Sequence, residues 1–177
     1  MPDLLLCVVG SPFSKEENKK IAELNLTDNI QNYGAVGDSQ LAKLYNSSIA
    51  FVYPCLYEGF GIPLLEAMAC ETVVIGSNIS SIPEVMGDAG LLFEPTSTHE
   101  LTGYLAAPED TGDFCNGIVT LLTDEALREK MSGNCREIAV TEYPLELQAQ
   151  RYIEIYRETG VKTPVSQLRP VEIGYIV

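Results

Sequence analysis

The stretch IAFVYPCLYEGFGIPLLEAMACETVVIGS, Ile49–Ser77, decides the fold. It opens with a β-branched and aromatic run that Pro54 stops, because proline has no N–H to give a strand ladder. A glycine-bracketed loop follows, and Ile62 to Cys70 then reads as a helix with Pro63 in its first turn, where a missing N–H is no loss. Thr72 to Ser77 is the next strand. Strand, helix, strand in so short a span is the unit of a parallel sheet, since parallel neighbours need a crossover.

Working outward, the same alternation continues. LLLCVVG (Leu4 to Gly10) reads as a short strand buried on two faces. KEENKKIAELN reads as a helix with a polar face, and NIQNYG (Asn29 to Gly34) as a strand. DSQLAKLYNSS reads as a helix with Asp38 as its N-cap and Leu41, Leu44 and Tyr45 at helical spacing. The expected fold class is therefore α/β, a parallel sheet flanked by helices on both faces, with ligands at the carboxyl ends of the strands. Beyond Ser77 a polar loop with one helical turn leads to two similar phrases 13 residues apart, GLLFEP (Gly90 to Pro95) and GYLAAP (Gly103 to Pro108), a candidate short duplication. From Thr111 the sequence is helical, with Asp124 capping one helix and LELQAQRYIEIYRET forming another. Residues 1–160 are expected to form one domain and 161–177 an extended tail that folds back.

Composition narrows the function. With 177 residues the chain can bury roughly 70% of its unfolded surface, enough for one sizeable core. It is 46% hydrophobic and 20% charged, with no apolar run near the roughly 20 residues of a membrane-spanning helix. Five cysteines, at 7, 55, 70, 115 and 135, match neither a disulfide framework nor a zinc site. Together with the lack of a secretory signal after Met-Pro-Asp, they point to the cytoplasm. The net charge is −14, and Leu44 to Leu127 holds twelve acids but no Lys or Arg. Such a surface repels nucleic acid and anionic lipid. Walker-type, GxGxxG, Gly-x-Ser-x-Gly and Asp-x-Asp motifs are all lacking.

Chemistry concentrates at Glu58 and Glu66, seven residues apart in the count between them. Gly59 and Gly61 let the backbone approach a ligand closely. The N–H groups of the first helical turn make an anion site, with one carboxylate in the loop before it and one a turn beyond. Two-oxygen acceptors suit the vicinal hydroxyls of a ribose or hexose, and N–H donors suit the diphosphate between them. That reading is a sugar-nucleotide site. A plainer one has Glu66 answering its helix dipole and Glu58 solvated, each worth under about 1 kcal/mol. A glycoside hydrolase with two carboxylates about 5–9 Å apart is a third, and a helix N-terminus between the carboxylates argues against it.

LYEGFGIPLLEAMAC followed by VVIGSNISSIPEVMGDAGLLFEP resembles the donor-side, C-terminal half of retaining GT-B glycosyltransferases of family 4, whose hallmark is Glu, seven residues, Glu. The resemblance runs from about Pro2 to Thr159 and implies a single Rossmann-like domain. It gives Glu58, as the catalytic-site glutamate, the transferred sugar's hydroxyls, and Glu66 the nucleotide ribose. It places the backbone around Gly59, Phe60, Gly61 and Ile62 at the sugar and that near Pro63 and Leu64 at the phosphates. It also puts Gly10 in the same crevice, and Gly34, Ala35 and Val36 in the loop on which the nucleobase rests.

The same resemblance implies a nucleotide-diphosphate sugar as substrate, with neither cofactor nor metal. It implies retaining transfer to an acceptor hydroxyl, with the leaving phosphate taking the acceptor's proton. In the family the acceptor half is a second domain and the diphosphate is clamped by Arg and Lys ahead of the matching region. The implied partner is thus a separate acceptor-binding subunit or a second copy, and the implied alternative is a non-catalytic nucleotide-sugar-binding or structural remnant. Glu71 and Val73 depart from the pattern, standing where the family usually has Gly and Pro.

Overall fold

The computed structural model describes residues 4–55, 57–87, 91–93 and 108–158. In chain order they form β1 (Leu6–Val8), α1 (Lys15–Glu23), a 3₁₀ turn (Thr27–Asn29), β2 (Ile30–Asn32), α2 (Asp38–Ser47), β3 (Phe51–Tyr53) and α3 (Ile62–Ala69). There follow β4 (Val74–Ser77), α4 (Ile82–Met86), β5 (Leu91–Phe93), α5 (Pro108–Thr123), α6 (Glu125–Glu142) and α7 (Leu145–Glu158). The chain divides into two compact units, Met1–Ala139 and Val140–Val177.

Every strand pair is parallel, as the alternating pattern requires. The strands are hydrogen-bonded in two groups: β1 with β2, Leu6 opposite Ile30, and β3–β4–β5, with Phe51 opposite Val74 and Ile75 opposite Leu91. The three-stranded group carries the core. Its central strand β4 is buried along its whole length, and its side chains alternate between two helical layers as the two-residue period of a strand dictates. Val73 and Ile75 pack with Leu121 and Ile118 of α5 on one face. On the other, a methyl at Gly76 would lie 2.9 Å from the sulfur of Met86 and 3.0 Å from Ile82, so glycine is what lets α4 seat closely on the strand. Leu64 and Met68 of α3 and Ile82 and Met86 of α4 are fully buried, each side chain contributing about 1.5–3 kcal/mol by leaving water.

Three sequence expectations change in detail. β1 is not buried on two faces: Leu4, Leu5, Leu6 and Val9 are 40%, 47%, 50% and 40% exposed. Among the described residues it pairs with β2 alone, and α1 buries none of its residues. Asp38 is the first residue of α2 rather than its cap, a position that Gly37 takes. Helix α5 begins at Pro108, three residues before Thr111. Of the two similar phrases, GLLFEP supplies β5, whereas GYLAAP before Pro108 and the 161–177 tail lie outside the described residues.

Caps fix the helices. Ser14 and Glu17 form a reciprocal capping box on α1. Asp124 caps α6, its Oδ1 accepting from the Leu127 N–H at 2.9 Å. The C-terminus of α3 is closed by Arg136 of α6, whose guanidinium donates to the Ala69 carbonyl at 2.9 Å, the favourable end of a helix for a cation. Within the second unit, Arg151 of α7 donates to both the backbone carbonyl and the carboxylate of Glu142, at 3.1 and 3.0 Å.

Candidate functional site

The predicted site residues lie at the carboxyl ends of three strands. After β1, Gly10 has φ +139° and donates its N–H to the Gly34 carbonyl at 3.0 Å. After β2, Gly34 has φ +67° and receives support from Asn32, whose Oδ1 accepts from the Gly34 N–H at 2.7 Å while its amide donates to the Ser11 carbonyl at 2.9 Å. Both φ values lie where a Cβ is penalised. Gly10 and the Gly34-Ala35-Val36 loop are thus brought together as one hydrogen-bonded corner.

After β3 comes the Glu58 loop. The Tyr53 hydroxyl donates to Glu58 Oε2 at 2.5 Å. Glu58 Oε1 accepts from the N–H of Gly59 at 2.9 Å and, more weakly, of Phe60 at 3.5 Å. The hydrogen bond from Tyr53 holds the Glu58 carboxyl below the usual carboxylate range; partial burial opposes this and the amides of Gly59, Phe60 and Gly61 assist it. The Tyr53 hydroxyl is correspondingly raised, by burial first and by Glu58 second. Burial and then the Glu58 charge push the Cys55 thiol up to about 11.

Helix α3 then starts from Gly61, which is buried and left-handed at φ +85°. Its first turn offers fewer outward donors than the sequence suggests: Pro63 has no N–H, and the Leu64 N–H closes onto the Gly61 carbonyl at 2.9 Å. Leu64 itself is a core side chain, and Ile62 is 62% exposed. Glu66, one turn on, is exposed. The Tyr45 hydroxyl of α2 is pushed up to about 12, by burial first and then by Glu66 and Cys70. The two tyrosines belong to one aromatic row. Tyr45 meets Phe51 edge-on with ring centroids 5.3 Å apart, and Phe51 lies 5.5 Å from Tyr53.

Sequence reading missed four contributors. Tyr45 and Tyr53 look like ordinary helix and strand aromatics, and no spacing rule ties them to Glu66 and Glu58. Ser80 and Ser81, which the family resemblance sets near the site, read as solvent-facing loop serines. Their hydroxyls donate to the Glu58 backbone carbonyl, at 2.6 and 3.3 Å, across 22 and 23 residues. A cleft of about 460 Å³ lined by Asn46, Ile49, Glu71, Val73 and Arg128 opens at the amino ends of β3 and β4, the opposite edge from these groups. No group of three His, Cys, Asp or Glu able to hold a metal occurs among the described residues, nor any helix long and apolar enough to cross a membrane.

Residues 1–138 match the family described as Glycosyl transferases group 1. The chain belongs to that family. This group 1 glycosyltransferase chain is 46% identical over 76 residues to the O-antigen chain mannosyltransferase B of Escherichia coli, covering 43% of this chain and 20% of that protein. It is 30% identical over 143 residues to the MMP alpha-(1->4)-mannosyltransferase of Mycolicibacterium hassiacum, covering 79% of this chain and 32% of that protein. Sucrose-phosphate synthase from Thermosynechococcus elongatus superposes on 87% of the chain with a TM-score of 0.67 and 28% identity, 38% of that structure being matched. Anabaena HepE in complex with UDP-glucose superposes on 89% of the chain, with 42% of its own length matched, at a TM-score of 0.71 and 18% identity, a likeness of fold. The match falls on the C-terminal half of larger GT-B enzymes, and the chain spans 20% and 32% of the two mannosyltransferases.

Proposed function

We propose that this domain binds a nucleotide-diphosphate sugar and serves as the donor side of a retaining glycosyltransferase, completed by a separate acceptor-binding half. Glu58 takes the hydroxyls of the transferred sugar and Glu66 those of the nucleotide ribose. Gly10 and the Gly34-Ala35-Val36 corner carry the nucleobase end. In the reaction the bond from the sugar's anomeric carbon to the diphosphate breaks and a bond to the acceptor oxygen forms on the same face. The acceptor's proton passes to the leaving phosphate.

The observation that supports this most is the Glu58 carboxylate, kept ionised at the carboxyl end of β3 by a tyrosine and backbone amides. An ionised acceptor at a strand's carboxyl edge is what hydroxyl recognition needs. Two relatives are named as mannosyltransferases, so mannosyl donors are the first to test. The experiment is calorimetric titration of the chain with UDP, GDP and ADP and their glucose and mannose conjugates, beside Glu66→Ala. Saturable binding that the variant loses is the expected result. No binding of any of them up to millimolar concentration overturns the reading.

A further inference from the structure

Glu58 belongs to an interval without Lys or Arg, and the groups hydrogen-bonded to it among the described residues are neutral. Three of these bonds are 2.9 Å or shorter. Tyr53 donates to Oε2 at 2.5 Å, Gly59 to Oε1 at 2.9 Å, and Ser80 to the backbone carbonyl at 2.6 Å. They are not equivalent. The Gly59 amide is part of the same loop and moves with Glu58, and Ser80 holds only the main chain. Tyr53 stands on β3, which is hydrogen-bonded to β4, and its ring packs against Phe51. Among the described residues it is the side chain that ties the carboxylate to the sheet. A hydrogen bond from a hydroxyl to an ionised oxygen is of the charge-assisted kind. Each carboxylate oxygen has two lone pairs; Oε1 already accepts from Gly59 and, weakly, Phe60, so the acceptor capacity left is mainly the second lone pair of Oε2.

We propose that Tyr53 is a positioning residue of the donor site: its hydroxyl holds the Glu58 carboxylate in one orientation, with its remaining lone pairs available to a sugar's hydroxyls. The identity of the ligand rests on the reading above, whereas the hold of Tyr53 on Glu58 rests on the geometry alone. The titratable groups recorded against Glu58 among the described residues are Tyr53 and Cys55. With the hydrogen bond removed, the Glu58 carboxyl moves up toward its ordinary value. For a depressed carboxylate the associated stability is present above the unfolded value and lost as pH falls through the folded one.

The test uses Tyr53→Phe, which keeps the ring and its packing on Phe51. First, the Glu58 side-chain carbonyl is followed by carbon-detected NMR as a function of pH without ligand, with Glu58→Gln for assignment. The midpoint is expected to rise in Tyr53→Phe and to stay in place in Tyr45→Phe, which removes a hydroxyl from the same aromatic row. An unchanged midpoint in a Tyr53→Phe protein that unfolds like the parent overturns the proposal. Second, UDP-glucose and GDP-mannose are titrated beside free UDP and GDP over the same pH range. The variant is expected to bind the sugar conjugates about 3- to 10-fold more weakly, with an acid limb displaced upward, while free UDP and GDP bind as before. Equal weakening of conjugates and free nucleotides overturns the sugar-facing role. If the parent binds none of them, the donor reading fails, and the NMR titration still decides whether Tyr53 holds Glu58.

Discussion

Replacing Gly61 by alanine separates two explanations of the glycine-bracketed loop, structural need and room for a ligand. Gly61 sits at φ +85°, and a methyl built on it would lie 2.6 Å from Leu64 Cδ1 and 3.4 Å from Leu64 Cγ. Leu64 is fully buried and cannot swing into solvent. A left-handed conformation costs an L-residue about 1–2 kcal/mol, and forcing a methyl into packed surroundings costs about 1–3 kcal/mol more. Stiffening of the unfolded chain returns about 0.4–1 kcal/mol. The expected net loss is about 1–5 kcal/mol, or a midpoint lowered by roughly 2–20 °C in a domain of this size. Urea unfolding followed by circular dichroism reads it, with equal slopes confirming a like-for-like comparison. Gly59→Ala is the control, because nothing lies within 4 Å of its methyl position and its φ is not positive. It should stay within about 0.5 kcal/mol of the parent. If Gly61→Ala is equally mild, the left-handed entry to α3 is dispensable and the reasoning fails. If Gly59→Ala leaves stability alone but weakens donor binding, ligand approach is what demands glycine there.

Glu71 occupies φ +60°, and its compensation is an exposed ion pair to Arg136 at 3.5 Å. Glu71→Gly is therefore expected to stabilise the chain by about 0.5–1 kcal/mol, since left-handed strain exceeds the worth of such a pair; a loss in urea unfolding would contradict this. Burial pushes the Cys135 thiol from 9.0 up to about 11. The unfolded chain thus releases this proton first as pH rises, and stability should fall by about 2–3 kcal/mol between those values and then level off. Cys135→Ala should flatten that decline, as read by urea midpoints across pH. Ser80→Ala removes the hydroxyl that reaches the Glu58 carbonyl at 2.6 Å and should cost about 0.5–1.5 kcal/mol. Amide exchange at Gly59 and Phe60 should quicken; unchanged exchange would deny Ser80 its part in ordering the loop.

The order of strands and helices was legible because each is short, strongly patterned and punctuated by Pro or Gly, and parallel pairing follows from the alternation. The burial of β1 was not. Leu4 to Val9 has the composition of a two-face-buried strand, but burial depends on neighbours, and among the described residues β1 has only β2 beside it. Within the site the carboxylates and glycines were legible because chemistry and φ restrict what can stand there. Glu71 shows the same rule from the other side: the family's usual Gly at this position answers a left-handed φ that the sequence alone does not display. Ser80, Ser81 and Tyr45 escaped because their roles depend on tertiary contacts, 22 and 23 residues away for the serines.

The aromatic row backs the loop that carries Glu58 and ties that carboxylate to the sheet. Tyr45 closes α2, Phe51 and Tyr53 share one face of β3, and the three rings lie in sequence, 5.3 and 5.5 Å apart. The Tyr53 hydroxyl bonds Glu58, and Tyr45 packs α2 against Phe51 of β3 behind the loop. A flexible loop alone would let Glu58 drift, and an acidic surface of net charge −14 would favour that drift by repulsion. A tyrosine suits this position better than a lysine in one respect: it orders the carboxylate without neutralising it, and the charge remains available to a ligand's hydroxyls.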